Sequence, residues 1–513
     1  MRKVILMVVV FGHSMDVFCQ INDNNWLWGI EDSVGIVSGN AQGDFFNDSI
    51  RPYAKTLNMP FQDCMAAFSD DYGNLQIYSN GFQIKDSTGN IIAGGDSLSE
   101  GGLLWDIFYQ GNGGYGSAES KGIIMINKPG DPATIYVFHQ KSGDSASYVD
   151  SEILFTEVLK DSNNTFRVIK KNSLLSPYHP AFQNLAACKH ANGRDWWLLF
   201  TEGGTNCIVK FLITTDTMFE FEKQCIGDII RGNDGNNATF SLDGSKFSNS
   251  DGISNGTNIF NFDRCSGLLY NHKHINPIAI YNGTQLLDVI WSTNFSPDNR
   301  FIYLIRGAMI YQFDLLSQNF PNDIDTIAVQ DTFIDTILGT SANPFVFWSS
   351  TYGPDGRLYV GPAAWQRFLC TINNPNGKGD SCDFRMRNVI LPKVWYYTKP
   401  NFPNYRLGRL PGSACDTIYN DIKPLYTQTP WLKVYPNPAT DIVRFDYNWV
   451  EWDAVGECQL VLADLQGRVV LSQIIPKYSS RHELSIKQLT VGVYTASVQS
   501  GVRQLAVCKV IKE

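Results

Sequence analysis

The chain has 513 residues and is acidic, with 41 lysines and arginines against 50 aspartates and glutamates and a formal net charge of −9. Its length predicts more than one domain, and its charge argues against nucleic acid or an anionic membrane as bulk partners, because neither attracts an acidic surface. Only 18% of the residues are charged, while glycine (43 residues) and aromatic side chains (13%) are abundant. This composition is typical of β-rich extracellular proteins.

The N-terminus has the pattern of a secretory signal peptide. Residues 2–3 are basic, residues 4–11 are apolar, and Val17-Phe18-Cys19 precedes Gln20. This order predicts a signal peptide over residues 1–19. A lipoprotein alternative would make Cys19 the lipidated residue, but Asp16-Val17-Phe18 is a poor lipobox. No later stretch reaches the ~18 apolar residues of a membrane-spanning helix, so we expect no transmembrane segment.

Residues 20–416 contain an internal repeat of two strands joined by a tight polar turn. The repeat turns carry residues suited to positive φ at intervals of 57, 63, 51, 55 and 57 residues, namely Gly73, Gly130, Gly193, Gly244, Asn299 and Gly356. A period in the fifties with four short strands per unit is typical of a β-propeller, whose blades stack because one unit cannot bury its own faces. We predict an all-β fold with a seven-bladed β-propeller, six blades being the alternative. We expect the strand around Trp26 to meet the segment after Val394 in the last blade.

Several segments of this region also carry a family resemblance. Residues 25–29 (NWLWG), 67–81 (AFSDDYGNLQIYSNG), 401–407 (NFPNYRL) and 412–416 (GSACD) resemble the N-terminal propeller region of large Bacteroidota surface proteins. Many of those proteins also carry PKD-type domains, which this chain lacks. The resemblance therefore implies a fold and specifies no chemistry.

The chain contains eleven cysteines, some of which should pair in an oxidising compartment. Cys370 and Cys382 flank a turn-rich connection and are a candidate disulfide, and Cys188 and Cys207 could face each other across a hairpin pair. Sequence alone leaves the connectivity open. Because no C-x-x-C spacing occurs, we expect no cysteine metal site, and we predict neither a metal nor a cofactor.

The sequence gives little support for a hydrolytic enzyme. H-E-x-x-H does not occur, and G-x-S-x-G occurs once, at residues 252–256 (GISNG), where the predicted all-β repeat supplies no helix for a nucleophile elbow. Residues 69–73 (SDDYG) meet the sialidase Asp-box pattern without recurring in the other hairpins. Asp70 and Asp71 are better explained as turn residues that accept local backbone hydrogen bonds. We therefore predict no catalytic residues.

Two functional hypotheses remain. The first is a non-enzymatic module that binds an unknown protein or glycan. The alternative is a hydrolase or lyase acting on polysaccharide or peptide, with acids gathered from several blades. Carboxylates with an arginine or histidine at the mouth of the central channel would favour the enzyme, and aromatic and amide side chains would favour binding.

The last part of the chain has a different character. Residues 417–431 contain Pro424 and Pro430 and no apolar period, which predicts a linker. Residues 432–513 contain short strands with glycine-marked turns, which predicts a small β-sandwich.

Residues 432–513 also carry a series of landmarks in a fixed order: Tyr435, Pro436, Asn437, Pro438, Asp441, Asp464, Gly467, Arg468, Gly492 and Tyr494. The order and spacing resemble the C-terminal sorting domain of cargo for the type IX secretion system of Bacteroidota. The resemblance implies that these residues form the sorting signal and that the secretion machinery is a partner. It also implies that the protein passes through the periplasm and is secreted or displayed on the outer cell surface.

Overall fold

In the structure of the protein, a computed structural model, nearly all the regular secondary structure of the described residues is β-strand. It describes residues 22–30, 39–45, 49–111, 116–118, 121–143, 151–181, 184–231, 237–252, 255–276, 289–333, 335, 345–363, 366–395, 397–416, 431–448, 458–464, 468–475, 481–500 and 503–513. The predicted signal peptide over residues 1–19, the predicted linker up to residue 430 and Gly467 lie outside these ranges. The chain divides into two compact units, Met1–Thr417 and Ile418–Glu513.

The first unit begins with a three-stranded antiparallel sheet of β1 (Asn25–Ile30), β2 (Gly39–Phe45) and β3 (Ile50–Ala54). The next sheet contains β4 (Cys64–Ser69), β5 (Leu75–Ser79) and β6 (Ile84–Asp86), and β27 (Lys399–Pro400) joins it parallel to β4. A π-helical turn, Trp105–Gly111, follows β6.

Further sheets of four consecutive antiparallel strands follow along the chain. The first two contain β7 (Ile123–Lys128), β8 (Asp131–Lys141), β9 (Glu152–Lys160) and β10 (Phe166–Ser176), then β11 (Ala186–Lys189), β12 (Trp196–Thr201), β13 (Thr205–Ile213) and β14 (Met218–Ile230). The next contains β15 (Asn237–Phe240), β16 (Lys246–Asp251), β17 (Gly256–Phe262) and β18 (Leu269–Ile275). The last two contain β19 (Ile290–Phe295), β20 (Phe301–Arg306), β21 (Met309–Asp314) and β22 (Ile324–Val329), then β23 (Phe347–Tyr352), β24 (Leu358–Pro362), β25 (Gln366–Ile372) and β26 (Phe384–Trp395). A 3-10 turn, Gly379–Cys382, separates β25 from β26.

The predicted repeat turns all join the first and second strands of a four-stranded sheet. Gly73 lies between β4 and β5, Asn299 between β19 and β20, and the other four lie in the equivalent hairpins. Each has positive φ, from 60° at Asn299 to 80° at Gly73. The repeat deduced from the sequence is therefore the hairpin at the start of each of these sheets.

Hydrophobic clusters are shared between neighbouring sheets. Trp197 of β12 packs in one cluster with Phe247 of β16, and the following pairs of sheets share clusters in the same way. The cluster of the last sheet includes Trp395 of β26 together with Trp28 of β1, whose rings lie 5.8 Å apart. The strand around Trp26 thus meets the segment after Val394 through side chains, whereas β27 pairs with β4.

The second unit consists of two sheets that bury one common cluster. The first has the order β28 (Trp431–Tyr435), β29 (Ile442–Asn448) and β32 (Arg481–Ser485), and the second has the order β31 (Val469–Ile475), β30 (Cys458–Ala463), β33 (Gly492–Ser500) and β34 (Arg503–Lys512). Phe445 and Tyr447 from the first sheet and Leu460 and Val498 from the second belong to this cluster and are almost fully buried. None of the helices among the described residues has the length and hydrophobicity to span a bilayer.

Two disulfides are present, Cys207–Cys225 and Cys265–Cys415. The candidate bond between Cys370 and Cys382 does not form. Its two thiols point to different neighbours, because Cys370 Sγ accepts the backbone N–H of Arg387 at 3.2 Å, whereas Cys382 bonds the hydroxyl of Tyr303 in another sheet. The Cys188–Cys207 alternative is also wrong, since Cys207 is bonded to Cys225.

Candidate functional site

Residues 397–416, which we call the strap, follow the last sheet and bind the edges of the other sheets. Lys399 pairs with Cys64 of β4. The side-chain amide of Asn401 donates to three backbone carbonyls, those of Lys121 (3.0 Å), Ile123 (3.3 Å) and Leu185 (3.1 Å). Tyr405 Oη donates to the carbonyl of Met125 at 2.5 Å and Asn404 Nδ2 to that of Leu242 at 2.6 Å. The strap thereby donates hydrogen bonds to backbone carbonyls of several different segments.

The second half of the strap is held by an ion pair and a disulfide. Arg406 donates to both carboxylate oxygens of Asp23, at 2.7 and 2.6 Å, and Asp23 is only 5% exposed. This fork is the bidentate geometry that gives strong charge-assisted hydrogen bonds. Further along, Arg264 donates to the carbonyl of Gly408, and Cys415 is bonded to Cys265. The strap is thus attached along its whole length.

Between the strap and the first strands of the sheets lies a cavity of about 90 Å³, well below the ~300–1,000 Å³ of typical ligand pockets. Its polar lining consists of Asp23, Lys121, Thr239, Ser241, Asn294, Ser350, Thr351, Asn401, Asn404 and Arg406, and its aromatic lining of Phe240, Tyr352 and Phe402. Asp23 is the only carboxylate among these lining residues, and it is already bound to Arg406. The cavity therefore offers neither an acid–base pair of carboxylates nor room for a sugar chain.

Two buried lysines lie at or near this cavity: Lys121 lines it, and Lys399 belongs to the strap. Burial and, to a smaller extent, the nearby charge of Lys399 lower the pKa of Lys121 to about 7. Lys121 Nζ donates to the carbonyl of Ala238 at 3.4 Å, while Lys399 Nζ lies 4.6 Å from the ring centre of Trp348 and donates to the carbonyl of Trp291 at 3.3 Å. A carbonyl oxygen and the face of an aromatic ring thus stabilise the ammonium group of Lys399.

A larger groove of about 550 Å³ opens between the sheet of β4–β6 and the sheet of β7–β10. It is lined by Asp70, Gln76, Asp86, Ser87, Thr88, Ile91, Ile92, Ala93, Lys160, Asn164, Thr165 and Phe166. The volume is in the range of small-molecule sites. The groove is thus the only one of these two cavities that could hold a ligand of several rings.

The carboxylates of the groove are engaged in their own turns. Asp70 Oδ1 accepts the backbone N–H groups of Tyr72 (3.0 Å) and Asn74 (2.9 Å), as predicted for a turn residue. Asp86 Oδ1 accepts the backbone N–H of Thr88 at 2.9 Å in the same way. Both side chains therefore stabilise the hairpins that form the groove walls.

A short polar chain crosses the groove from one sheet to the other. Lys160 Nζ donates to Gln76 Oε1 at 2.9 Å, and Gln76 Nε2 donates to Asp70 Oδ2 at 3.0 Å. The Lys160 ammonium also lies 5.5 Å from the ring centre of Phe166. These contacts fix the two walls relative to each other, so the groove is largely pre-formed.

The predicted sorting-signal residues that the structure describes lie at strand ends and in the loops of the second unit. Tyr435 and Asn437 are each followed by a cis proline, Pro436 and Pro438. Tyr435 Oη donates to Asp446 Oδ2 at 2.9 Å, while Asn437 Nδ2 donates to the carbonyl of Lys509 and its Oδ1 accepts the N–H of Ile511, both at 2.8 Å. This loop is thereby joined to the last strand of the chain.

The other landmarks close turns nearby. Asp464 accepts hydrogen bonds from the backbone N–H (3.0 Å) and Nε (2.8 Å) of Arg468 across the β30–β31 hairpin. Gly492 begins β33, Tyr494 Oη donates to the carbonyl of Thr490 at 2.7 Å, and the carbonyl of Asp441 accepts the N–H of Ile486 at 2.8 Å.

These landmarks gather at one end of the second unit. Gly492 pairs with Lys512, which also pairs with Ala439 of the Pro-Asn-Pro loop, and Ala463 pairs with Thr495 at the start of β33. Landmarks far apart in the sequence thus occupy the end where β33 begins and β34 finishes.

The chain thus has a repeat-built unit of sheets and a small C-terminal β-unit that carries the described sorting landmarks at one end. Residues 433–513 match the family model for the secretion system C-terminal sorting domain. The chain is therefore a cargo protein of the type IX secretion system, which delivers it to the outer surface or the medium, and the secretion machinery is its partner.

Comparison of the whole chain with other proteins adds little. No curated protein matches it in sequence. Among solved structures it is similar to a candidate 6-phosphogluconolactonase of Bacteroides uniformis (13% identity, 72% of this chain and 98% of that one, TM-score 0.40). It is also similar to the periplasmic gluconolactonase of Pseudomonas aeruginosa (11%, 72% and 98%, 0.36) and to a quinoprotein alcohol dehydrogenase-like protein of Bacteroides thetaiotaomicron (11%, 74% and 76%, 0.34). At such scores we infer no activity from these neighbours.

Neither the groove nor the contacts that hold the strap could be predicted from the sequence. Asp23 and Arg406 are 383 positions apart, and Gln76 and Lys160 belong to different sheets. The only local sequence pattern that bears on the groove is the recurring hairpin turn. It places Asp70 in a hairpin but does not show which sheet forms the other wall of the groove.

Proposed function

We propose that the first unit is a seven-bladed β-propeller over residues 20–416, followed by a linker over residues 417–431 and a sorting domain with a β-sandwich fold over residues 432–513. The sheet of β1–β3 would be a three-stranded blade beside six blades of four strands. Hydrophobic clusters that join each sheet to the next, and the last sheet to β1 and β4, support this arrangement. The strap would then fill the central channel.

We further propose that the exported protein is a binding module for a glycan and that the groove between β4–β6 and β7–β10 is its binding site. One observation carries this proposal: the carboxylates of both cavities are bound within the fold, while amide, hydroxyl and ammonium groups line the groove. Neutral hydrogen-bonding groups in a pre-formed groove suit a hydroxyl-rich ligand.

The same observation disfavours the hydrolase or lyase alternative. Glycoside hydrolysis uses two carboxyl groups, one as acid and one as base or nucleophile. Asp70 and Asp86 accept backbone N–H groups in their own hairpins, and Asp23 forms a bidentate ion pair. No feature of the described residues favours the enzyme.

A glycan array probed with the mature protein tests the proposal. The variant Gln76→Ala/Thr165→Ala removes two polar groups from the groove, and Asn322→Ala/Thr326→Ala removes similar exposed groups from another sheet as a matched control. Two lost hydrogen bonds of ~1 kcal/mol each should weaken binding about thirtyfold in the groove variant, and the control should bind as the parent does.

Several outcomes would overturn the proposal. Equal binding by parent and groove variant would refute the groove as the site. Cleavage of any array glycan by the parent would refute a purely binding role. If the protein binds no glycan but captures a defined surface protein, the ligand is a protein and not a glycan.

A further inference from the structure

Two histidines and an aspartate converge at the edge between two neighbouring sheets. His272 and His274 lie two positions apart on β18, so their side chains share one face of that strand. Asp228 belongs to β14 in the preceding sheet. The nitrogen and oxygen atoms that the three residues offer all lie within 4.8 Å of one another, and the residues are exposed or half-buried.

The distances fit a small tetrahedral metal ion. Asp228 Oδ2 lies 3.0 Å from His274 Nδ1 and 3.8 Å from His272 Nε2. Ligands bound to Zn²⁺ at ~2.0–2.1 Å in tetrahedral geometry are about 3.3–3.4 Å apart. The observed separations lie on either side of this value, so small side-chain movements would complete the geometry.

Neighbouring residues orient the ligands. The side chain of Asn258 is fixed by two hydrogen bonds to the backbone of Asp228, one donated by Nδ2 and one accepted by Oδ1, each 2.9 Å long. The ring of His272 stacks on Phe260, with 5.1 Å between ring centres. Such outer contacts hold imidazoles and carboxylates in the orientation that a metal requires.

Polar contacts hold the three ligand side chains together. Asn258 Oδ1 accepts the backbone N–H of Asp228 and also lies 2.8 Å from His272 Nε2 and 3.3 Å from His274 Nδ1. An amide oxygen has only two lone pairs, and His274 Nδ1 has a second partner in Asp228 Oδ2 at 3.0 Å. An ion among the ring nitrogens and Asp228 would take the place of the protons in these contacts.

We propose that Asp228, His272 and His274 form a Zn²⁺ site that connects β14 of one sheet to β18 of the next. Two imidazoles and one carboxylate are a ligand set that suits Zn²⁺. With three protein ligands the ion keeps a fourth position open to solvent or to a partner's side chain. The site is separate from the groove and from the sorting domain, and does not depend on the proposed glycan binding.

The other cluster of this kind in the described chain is a weaker candidate. His190 lies close to Cys265 and Cys415, but the two sulfur atoms are joined in a disulfide. A disulfide sulfur is not a thiolate and so does not bind Zn²⁺ as a cysteine ligand does.

Calorimetric titration of the mature full chain with Zn²⁺ alone tests the proposal. The parent should bind one equivalent, and His274→Gln and Asp228→Asn should each bind at least about tenfold more weakly because one ligand is lost. His179→Gln is the matched control, since His179 bonds the carbonyl of Ser151 away from this cluster. It should bind Zn²⁺ as the parent does.

A second readout separates the site from non-specific binding. Zn²⁺ should raise the thermal unfolding midpoint of the parent and of the control but not of the two ligand variants, because a bound ion stabilises the folded state. Lowering the pH from about 7.5 to about 5.5 should weaken the binding, since the imidazoles must be deprotonated. Absence of binding in the parent, or equal affinity in parent and both ligand variants, would overturn the proposal.

Discussion

The disulfide Cys265–Cys415 attaches the end of the strap to the loop after β17, and removing it should destabilise the protein more than removing the other disulfide. Cys265 and Cys415 are 150 positions apart, whereas Cys207 and Cys225 are 18 apart. In the chain-entropy description, a cross-link stabilises by restricting the unfolded chain, and the effect grows with loop length. It amounts to about 5 kcal/mol for the long loop and about 3 kcal/mol for the short one.

The comparison uses the double variants Cys265→Ser/Cys415→Ser and Cys207→Ser/Cys225→Ser, each unfolded in urea beside the oxidised parent. We expect the first to lose about 2 kcal/mol more of unfolding free energy than the second, with its urea midpoint shifted further down. The two loops do not overlap, so the losses should be nearly additive in the quadruple variant. Equal losses of unfolding free energy, or a larger loss for the short loop, would refute the reasoning that the Cys265–Cys415 bond stabilises the protein by closing a long loop of the unfolded chain.

Three further predictions concern other parts of the chain. Arg406→Ala should cost about 3 kcal/mol in chemical denaturation, because it leaves the buried carboxylate of Asp23 without its counter-charge; a loss below 1 kcal/mol would show that the pair is effectively solvent-exposed. Burial lowers the pKa of His139 from 6.5 to about 3. Between these two pH values the unfolded state therefore binds a proton on His139 that the folded state does not. Stability should therefore fall as the pH drops through this window, by up to ~1.4 kcal/mol per pH unit, and His139→Gln should show a shallower pH dependence in the same denaturation series. Deleting residues 432–513 should leave the protein in the periplasm on immunoblots of cell fractions, and its appearance in the medium would contradict the sorting assignment.

Features set by local chemistry could be predicted from the sequence. Gly73 and Asn299 mark turns that require positive φ, a property of the residue itself and its immediate neighbours. Their spacing then predicted the series of sheets. The sorting landmarks around Tyr435 and Asn437 were recognised by their resemblance to a known family, and the prolines among them restrict the backbone locally.

Features that depend on how sheets meet could not be predicted. The disulfide partners of Cys207 and Cys265 follow from strand register and from the path of the strap, and neither is visible in the spacing of cysteines. His272 and His274 lie two positions apart in the sequence, but their neighbour Asp228 lies on another sheet. The prediction of no metal rested on the absence of C-x-x-C spacing, and the proposed site contains no cysteine.

The strap also determines where a ligand can bind. Its amides, its ion pair with Asp23 and its disulfide fill the space between the first strands, leaving a cavity of about 90 Å³. Any larger ligand must therefore bind outside, in the groove or at the rims between sheets. Because the Cys265–Cys415 bond forms in oxidising compartments and not in the cytosol, the strap reaches its final attachment only along the export route. The same route leads to the surface where an outward-facing binding site could meet its ligand.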